Sequence, residues 1–292
     1  MGSEKILKLG IPAGSLQKAT IALFAKAGFD VSDSKRSYLP AIDDEEIQPI
    51  CLRAQEMGRY VGDGVLDAGI TGHDWITEND CDVIEVCELA YSKATSNPTR
   101  WVLCVPNESQ VTKPEELAGG IIATELVGVT KKYFAEKGVD VKVEFSWGAT
   151  EVKARLVDAI VELTETGTSL RANNLRIIDT LIVSTTRLVA NKEAWQDPFK
   201  REKIENLAIL LKAAIAARSK VGLKMNVKKE DLDAVLKVLP AEKSPTLSGL
   251  ADSDYVAIEV IVDDKVERAL VPALKRAGAS GIITYPLNKV IH

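Results

Sequence analysis

The sequence predicts an α/β protein of two lobes, each built on a mostly parallel sheet, followed by a smaller unit of different rhythm. Three observations predict it. Short apolar runs alternate with amphipathic helical stretches through most of the chain, the pattern of a parallel sheet with crossover helices. A polar segment over 92–99, containing Pro98, divides that alternation in two. Beyond residue 218 the order becomes βαββαβ, that of a ferredoxin-like split unit.

In the first lobe a strand over 5–11 meets the turn Pro12-Ala13-Gly14-Ser15, and a helix over 16–27 stops at Gly28. A strand over 48–52, a helix over 54–61 and a buried strand over 66–71 ending at Gly72-His73-Asp74 continue the alternation, and 83–89 supplies another strand. The second lobe opens with a strand over 101–105. Thr112-Lys113-Pro114-Glu115 has the pattern of a capping box with proline in the first turn of a helix. A strand over 120–124, a helix over 127–137 stopped by Gly138, a strand over 141–146 and a short helix over 151–156 follow. Strands over 179–183 and 188–190 are expected to lead back to the first lobe, because paired α/β lobes place a ligand in the cleft between them. A helix over 200–218 connects to the last unit: strand 221–227, helix 229–239, strands 246–250 and 255–262, helix 265–277 and strand 281–286.

With 292 residues, 46% apolar and 27% charged, the chain has the composition of an ordinary globular protein of two or three domains. A formal net charge of −5 with no basic run argues against general nucleic-acid binding, so any anionic ligand must be held by a local field. Cys51, Cys81, Cys87 and Cys104 show no CxxC spacing and sit in apolar surroundings, which predicts reduced thiols. Two histidines, His73 and His292, are too few for a His-based triad or a multi-histidine metal site. No export signal is visible, and the most apolar stretch, 204–217, is interrupted by Lys212, so no membrane span is predicted and a cytoplasmic location is expected.

The chemistry concentrates in 157–174. Val157, Ala159, Ile160, Val161 and Leu163 predict a buried strand, Thr164-Glu165-Thr166-Gly167-Thr168-Ser169 a hydroxyl-rich turn, and a helix starts near Ser169. Strand, turn and helix start make a phosphate-binding geometry: Gly167 allows close approach, the first helical N–H groups lack partners, and hydroxyls flank them. A plain Thr/Ser helix cap is the competing interpretation, since neither a Walker lysine nor GxGxxG accompanies the loop. Asp158 and Glu162, four apart, would share one face of the strand and could bracket a hydroxylated or magnesium-bound ligand. An acid among Leu156, Val157, Ala159 and Ile160 needs a partner. Arg53, directly after a strand, could fork a phosphate or form a surface ion pair. Asp74 and Glu151 could cap helices, and Trp75, Trp101, Trp147 and Trp195 are expected to pack. The residues alone leave two classes open, a group-transfer enzyme and a two-lobed solute-binding protein; the missing export signal counts against the second.

In order, Gly10 with Gly14-Ser15-Leu16, Leu52-Arg53, Leu66-Asp67-Ala68-Gly69-Ile70-Thr71-Gly72, Ile122-Ala123-Thr124, Gly148-Ala149-Thr150-Glu151-Val152, Asp158-Ala159-Ile160-Val161-Glu162-Leu163, Thr166-Gly167-Thr168-Ser169-Leu170 and Asn173-Asn174-Leu175 resemble the ATP phosphoribosyltransferase family. The similarity runs over essentially the whole chain. Ser244-Pro245-Thr246, Leu250-Ala251, Val256-Ala257-Ile258 and Gly278-Ala279 are similar to the regulatory domain of its long form. The resemblance implies a two-lobed, periplasmic-binding-protein-like catalytic part, with 1–94 and 185–217 as lobe I, 95–184 as lobe II and 218–292 as a regulatory domain. It implies that N1 of ATP displaces pyrophosphate from phosphoribosyl pyrophosphate with Mg²⁺, as the first step of histidine biosynthesis. Hexamers or dimers, inhibition by histidine and AMP as a further ligand are implied too.

The same resemblance casts Asp158, Glu151 and Arg53 as catalytic. It casts Glu162, Thr164, Glu165, Thr166, Gly167, Thr168, Ser169 and Leu170, with Gly14, Ser15, Gly72 and Asp74, as substrate-binding, and Asn226, Glu242, Thr246 and Gly281 as histidine-binding. Ala13 departs from the Lys or Arg that often precedes the first-loop glycine, and a glycine common before the Asp158 segment is absent. Of the four histidine positions only Thr246 keeps the expected residue type.

Overall fold

The computed structural model describes residues 5–32, 39–91, 97–240, 245–252 and 254–291. They form two compact units, Met1–Ala208 and Ile209–His292. In the first, the strands are β1 (Leu7–Ala13), β2 (Ile47–Arg53), β3 (Ala68–Gly72), β4 (Ile84–Leu89), β5 (Thr99–Pro106), β6 (Ile121–Thr124), β7 (Lys142–Phe145), β8 (Ala159–Thr164), β9 (Leu175–Ser184) and β10 (Thr186–Ala190). The helices are α1 (Gln17–Ala27), α2 (Ala54–Gly62), α3 (His73–Glu78), α4 (Val127–Glu136), α5 (Thr150–Lys153), α6 (Thr168–Ala172), α7 (Lys192–Gln196) and α8 (Pro198–Ala216).

Two five-stranded sheets result, in the orders β2-β1-β3-β10-β4 and β7-β6-β8-β5-β9. β1 is parallel to β2 and β3, and β6 to β7 and β8, as alternating strands and helices dictate. The expected return to the first lobe is β10, which enters the first sheet antiparallel between β3 and β4 after a single linking residue, Thr185. The lobes are thus joined by a chain crossing at 184–186 and by the segment between β4 and β5. Each sheet buries its apolar residues under helices: Leu7, Leu9 and Ile11 in lobe I, Leu103, Val105, Ile122 and Phe134 in lobe II.

Several boundaries differ from the expected ones. Val157 donates its N–H to the Lys153 carbonyl (3.1 Å), so it closes the turn after α5, and β8 begins only at Ala159. The capping box closes on Glu116, not Glu115. A 3₁₀ turn, Pro114–Leu117, starts after Lys113, so the third helical position is Glu116, whose carboxylate takes the Thr112 N–H (2.7 Å). Helix α7, under two turns, is too short to show a 3.6-residue period and is not predicted. Helix α3 is expected only as a helix that Asp74 caps, but its capping position is Gly72 and Asp74 lies in its first turn. Trp101 is buried, but Trp147 is 90% exposed beside Phe145, against the expectation that it packs. All four cysteines are free thiols, Cys51 and Cys104 buried, with burial pushing Cys104 up to about 12.

The second unit contains β11 (Lys220–Lys228), α9 (Leu232–Val238), β12 (Thr246–Gly249), β13 (Tyr255–Asp263), α10 (Asp264–Arg276) and β14 (Ser280–Pro286). Its antiparallel sheet has the order β12-β13-β11-β14, the ferredoxin-like arrangement the sequence predicts. Strand alternation sends Leu223, Met225 and Val227 to the helix-covered core and Lys224, Asn226 and Lys228 to the open face. The division between the two compact units falls inside α8, between Ala208 and Ile209. Among the described residues no helix is long and apolar enough to cross a membrane.

Candidate active site

Within the first unit a cleft of about 410 Å³ opens between the two lobes. Ala13, Ser15, Arg53 and Gly72 line it from lobe I, Glu125, Glu162, Thr164 and Glu165 from lobe II, and Ser184 and Thr186 from the crossing. A larger open hollow of about 890 Å³ lies on lobe II alone, against Asn107, Glu151, Asp158 and Asn174. The cleft brings convergent polar groups from both lobes together, which is the usual setting of a substrate site.

The hydroxyl loop is held from within. The buried Thr164 hydroxyl accepts the Gly167 N–H (2.8 Å), which folds 164–167 into a tight turn, and the Thr166 and Thr168 hydroxyls bond each other (2.9 Å). Gly167 is left-handed (φ 72°, ψ 8°) and caps α6. Arg171 is the first residue of α6 whose N–H finds an i−4 carbonyl, that of Gly167 (3.1 Å), so the N–H groups of Thr168, Ser169 and Leu170 are the orphan donors of this helix start. Leu170 itself packs in the core, so only its backbone can serve a ligand. The Arg171 guanidinium bonds the Thr168 hydroxyl (3.3 Å) and places a cation at the turn.

Three glutamates stand near this loop. Ser169 donates its hydroxyl to Glu151, which ties α5 to the turn. Glu162, half-buried near the end of β8, is pushed up to about 7, chiefly by burial and further by the negative charges of Glu151 and Glu125. Asp158 is not brought to Glu162 or into the cleft, though it shares the lobe II hollow with Glu151. It is exposed, lies before β8 and accepts the Ile121 N–H (2.8 Å), so the partner its apolar surroundings demanded is a backbone group at the start of β6. Six residues of β8, about 20 Å at 3.3 Å each, separate it from the loop.

On lobe I, Arg53 is the last residue of β2 and forms no hydrogen bond or ion pair with the described residues. Its Nη1 lies 3.6 Å from where a Cβ on Gly14 would stand, so it brings positive charge to the first loop, where Ala13 has none. Asp74 is a buried tie (4% exposed). It accepts the Trp101 indole N–H (2.6 Å), the Ser184 hydroxyl (2.9 Å) and the Trp75 N–H (3.0 Å), which leaves it little capacity for a ligand. Gly72 lies directly against it.

A cleft with carboxylates and the start of a hydroxyl-rich anion loop on one lobe, and on the other an arginine without a partner among the described residues, suits transfer of a phosphorylated sugar, and comparison with known proteins decides which. A family model for ATP phosphoribosyltransferase matches residues 53–213, and a model for the HisG C-terminal domain matches 217–289. The chain belongs to the ATP phosphoribosyltransferase family. The ATP phosphoribosyltransferase of Chlorobium chlorochromatii is 59% identical over 99% of this chain and 98% of its own length. That of Geotalea daltonii is 57% identical over 98% of this chain and 99% of its own. Among solved structures, the ATP phosphoribosyl transferase (HisG:HisZ) complex from Thermotoga maritima matches with a TM-score of 0.61 and 30% identity, covering 71% of this chain and 97% of that one. As an ATP phosphoribosyltransferase the protein joins N1 of ATP to C1 of phosphoribosyl pyrophosphate, releasing pyrophosphate in the first step of histidine biosynthesis.

Of the four ATP phosphoribosyltransferase positions expected to contact histidine, the structure brings two together. Asn226 Nδ2 lies 3.6 Å from the Cβ position of Gly281, and Ser280 donates its hydroxyl to the Asn226 carbonyl (3.1 Å). Thr246 lies on β12, separated from β11 by β13, hence roughly 10 Å or more away across two strand spacings. Glu242 lies outside the described residues. Sequence reasoning missed Glu125, Thr150 and Arg171. Glu125 directly follows the predicted strand 120–124, and strand ends facing a cleft are where site residues collect, so position was its signal. The Thr150 hydroxyl, which bonds Glu162 and Ser146, carried none.

Proposed function

We propose that the phosphoribosyl donor lies on lobe II and that ATP reaches across the cleft toward lobe I. The loop takes the 5-phosphate through the N–H groups at the start of α6 and the hydroxyls of Thr166, Thr168 and Ser169, with Arg171 as a countercharge. Glu151 and Glu162 face the ribose hydroxyls, and Arg53 with Ser15 and the Gly14 backbone faces the nucleotide phosphates. Asp158 has only its β6 contact in this reading. The reaction needs no protein nucleophile, since N1 of the adenine is one; positioning and charge stabilisation suffice.

One observation carries the assignment: the cleft sets Arg53, without a partner among the described residues, on one lobe against Glu125, Glu162 and the first residues of the hydroxyl turn, Thr164 and Glu165, on the other. Among the described residues no group of three or more His, Cys, Asp or Glu is arranged to hold a metal ion. Mg²⁺ fits here as an ion carried on the donor's pyrophosphate, where it offsets the field of Glu125, Glu151 and Glu162. Arg53→Ala should raise the KM for ATP about tenfold, the loss of one charge-assisted phosphate contact. Steady-state kinetics with both substrates check it, and an unchanged KM removes Arg53 from the site.

Feedback inhibition by histidine at the second unit belongs to the same proposal. It is supported by the match to the C-terminal family model and by the closeness of Asn226 and Gly281. Removing the chain beyond Arg218 is expected to abolish inhibition by histidine while the first unit keeps its own core; inhibition that persists in the truncated protein places the effector elsewhere. AMP as a further ligand, a homo-oligomer (hexamer or dimer) and a cytoplasmic location complete the reading, and rest on the family alone.

A further inference from the structure

Helix α3 follows β3 and so belongs to lobe I, where its His73 side chain meets Glu85 of β4, yet two of its carboxylates, Asp74 and Glu78, are directed at lobe II. At its start, Asp74 accepts the Trp101 indole N–H and the Ser184 hydroxyl, its own N–H donates to Ser184 Oγ (3.0 Å), and the His73 N–H donates to the Thr185 carbonyl (3.0 Å). Ser184 and Thr185 are the crossing from β9 to β10, so this end sits on the line about which one lobe could turn against the other. Midway, the Trp75 ring stands edge-on to Trp101 (5.8 Å between centroids, 89°) and packs on the lobe II core.

At its other end, Glu78 accepts the N–H groups of Gly128 (2.7 Å) and Val129 (2.9 Å), in the first turn of α4. That helix has no side-chain cap of its own, its capping position being Leu126. Glu78 therefore supplies, from one lobe, the acceptor and negative charge that a helix start in the other requires. A Cβ at Gly128 would stand 3.1 Å from the Glu78 carbonyl oxygen and 3.2 Å from its Oε2, so glycine there permits the approach.

A single attachment at a crossing leaves rotation about it free. A second attachment four residues on, about 6 Å along the helix axis, blocks that rotation. We propose that α3 is a brace between the lobes, with Asp74 and Glu78 as positioning residues that hold the cleft at one width. A donor on lobe II and an acceptor reaching from lobe I then meet without hinge closure. The inference rests on the substrate placement proposed above. Glu78 lies outside the cleft wall, so direct contact with substrate does not account for its effect.

The test uses the full-length protein with Glu78→Ala and the shape-conserving Glu78→Gln. Glu78→Ala is expected to lower kcat about tenfold to a hundredfold, since small misplacements of reacting groups are costly. The Kd for phosphoribosyl pyrophosphate with Mg²⁺ should stay within about twofold, as for loss of an interaction that matters only in the transition state. Hydrogen exchange of the amides at 127–130 should quicken, and Glu78→Gln, which keeps one acceptor, should fall between parent and alanine. Adding Asp74→Asn to Glu78→Ala should cost little further kcat, because cutting either end frees the same rotation. Four results overturn the proposal: kcat close to that of the parent, unchanged exchange at 127–130, losses that multiply in the double variant, or a parallel loss of kcat and donor affinity. Donor placement itself is judged separately, by substitution of Gly167, so its failure is distinguishable from failure of the brace.

Discussion

Gly167→Val is expected to abolish binding of phosphoribosyl pyrophosphate while the protein still folds. Gly167 sits at φ 72°, ψ 8°, where a non-glycine residue costs roughly 1–2 kcal/mol and a β-branched one more. That is a small fraction of the stability of a unit this size, and α6 contributes only one side chain, Leu170, to the core. The damage is local. The new side chain meets Arg171 Nη1, 3.0 Å from its Cβ, and strains the turn that the bond from Gly167 N–H to Thr164 Oγ1 maintains. The orphan N–H groups of α6 are then turned away from the point where the phosphate must lie. Calorimetric titration of the donor with Mg²⁺, beside a thermal melt, should show affinity lost by about a hundredfold or more with a cooperative transition retained, charge-assisted contacts to several donors being lost at once. Unchanged affinity would remove the loop from the site.

The second large effect is expected at Glu162, where stability and activity should move in opposite directions. Its carboxyl is held at about 7 in the folded protein against an ordinary 4.5, because burial and the charges of Glu151 and Glu125 disfavour ionisation. The folded state therefore binds the proton more tightly than the unfolded state. The resulting penalty on folding is absent below pH about 4.5, grows between there and pH about 7, and is constant above. Its upper bound is about 3 kcal/mol, reduced by the water that reaches a half-buried group. Glu162→Gln removes the penalty, so denaturant melts should show a gain of roughly 1–3 kcal/mol at pH 8 and almost none at pH 4.5. The same variant should lose about a hundredfold in kcat, as when a group aimed at the reacting centre is removed. A variant that is active and no more stable at pH 8 would show that Glu162 is an ordinary exposed carboxylate. Arrival of a Mg²⁺-bearing donor near neutral pH should release a proton from the wild-type site, readable as a buffer-dependent binding enthalpy.

Much of this was legible in the residues. Hydrophobic alternation and turn chemistry located the strands of both lobes and of the ferredoxin-like unit, because each local pattern answers to one periodicity. Gly28 and Gly138 marked helix ends that the structure places there. The hydroxyl loop was legible because its glycine, hydroxyls and preceding apolar strand lie within a dozen residues. Asp158 shows the opposite. Four-residue spacing put it beside Glu162 on one strand face, but the strand starts one residue later, and the acid is used by β6, 37 residues away in sequence. Asp74 looked like a cap or a ligand group, and only the packing of Trp101 and Ser184 against it shows a carboxylate already saturated.

The sequence by itself determined the class of most elements, the order of the units and the anion loop with its Gly167 turn, all of which depend on neighbours a few positions apart. Tertiary structure alone decided which acids share the cleft, that Arg53 faces them without a partner among the described residues, and that a six-residue helix joins the lobes at two points. Those contacts pair residues from 27 to 110 positions apart, and no local period or propensity encodes a meeting at that range.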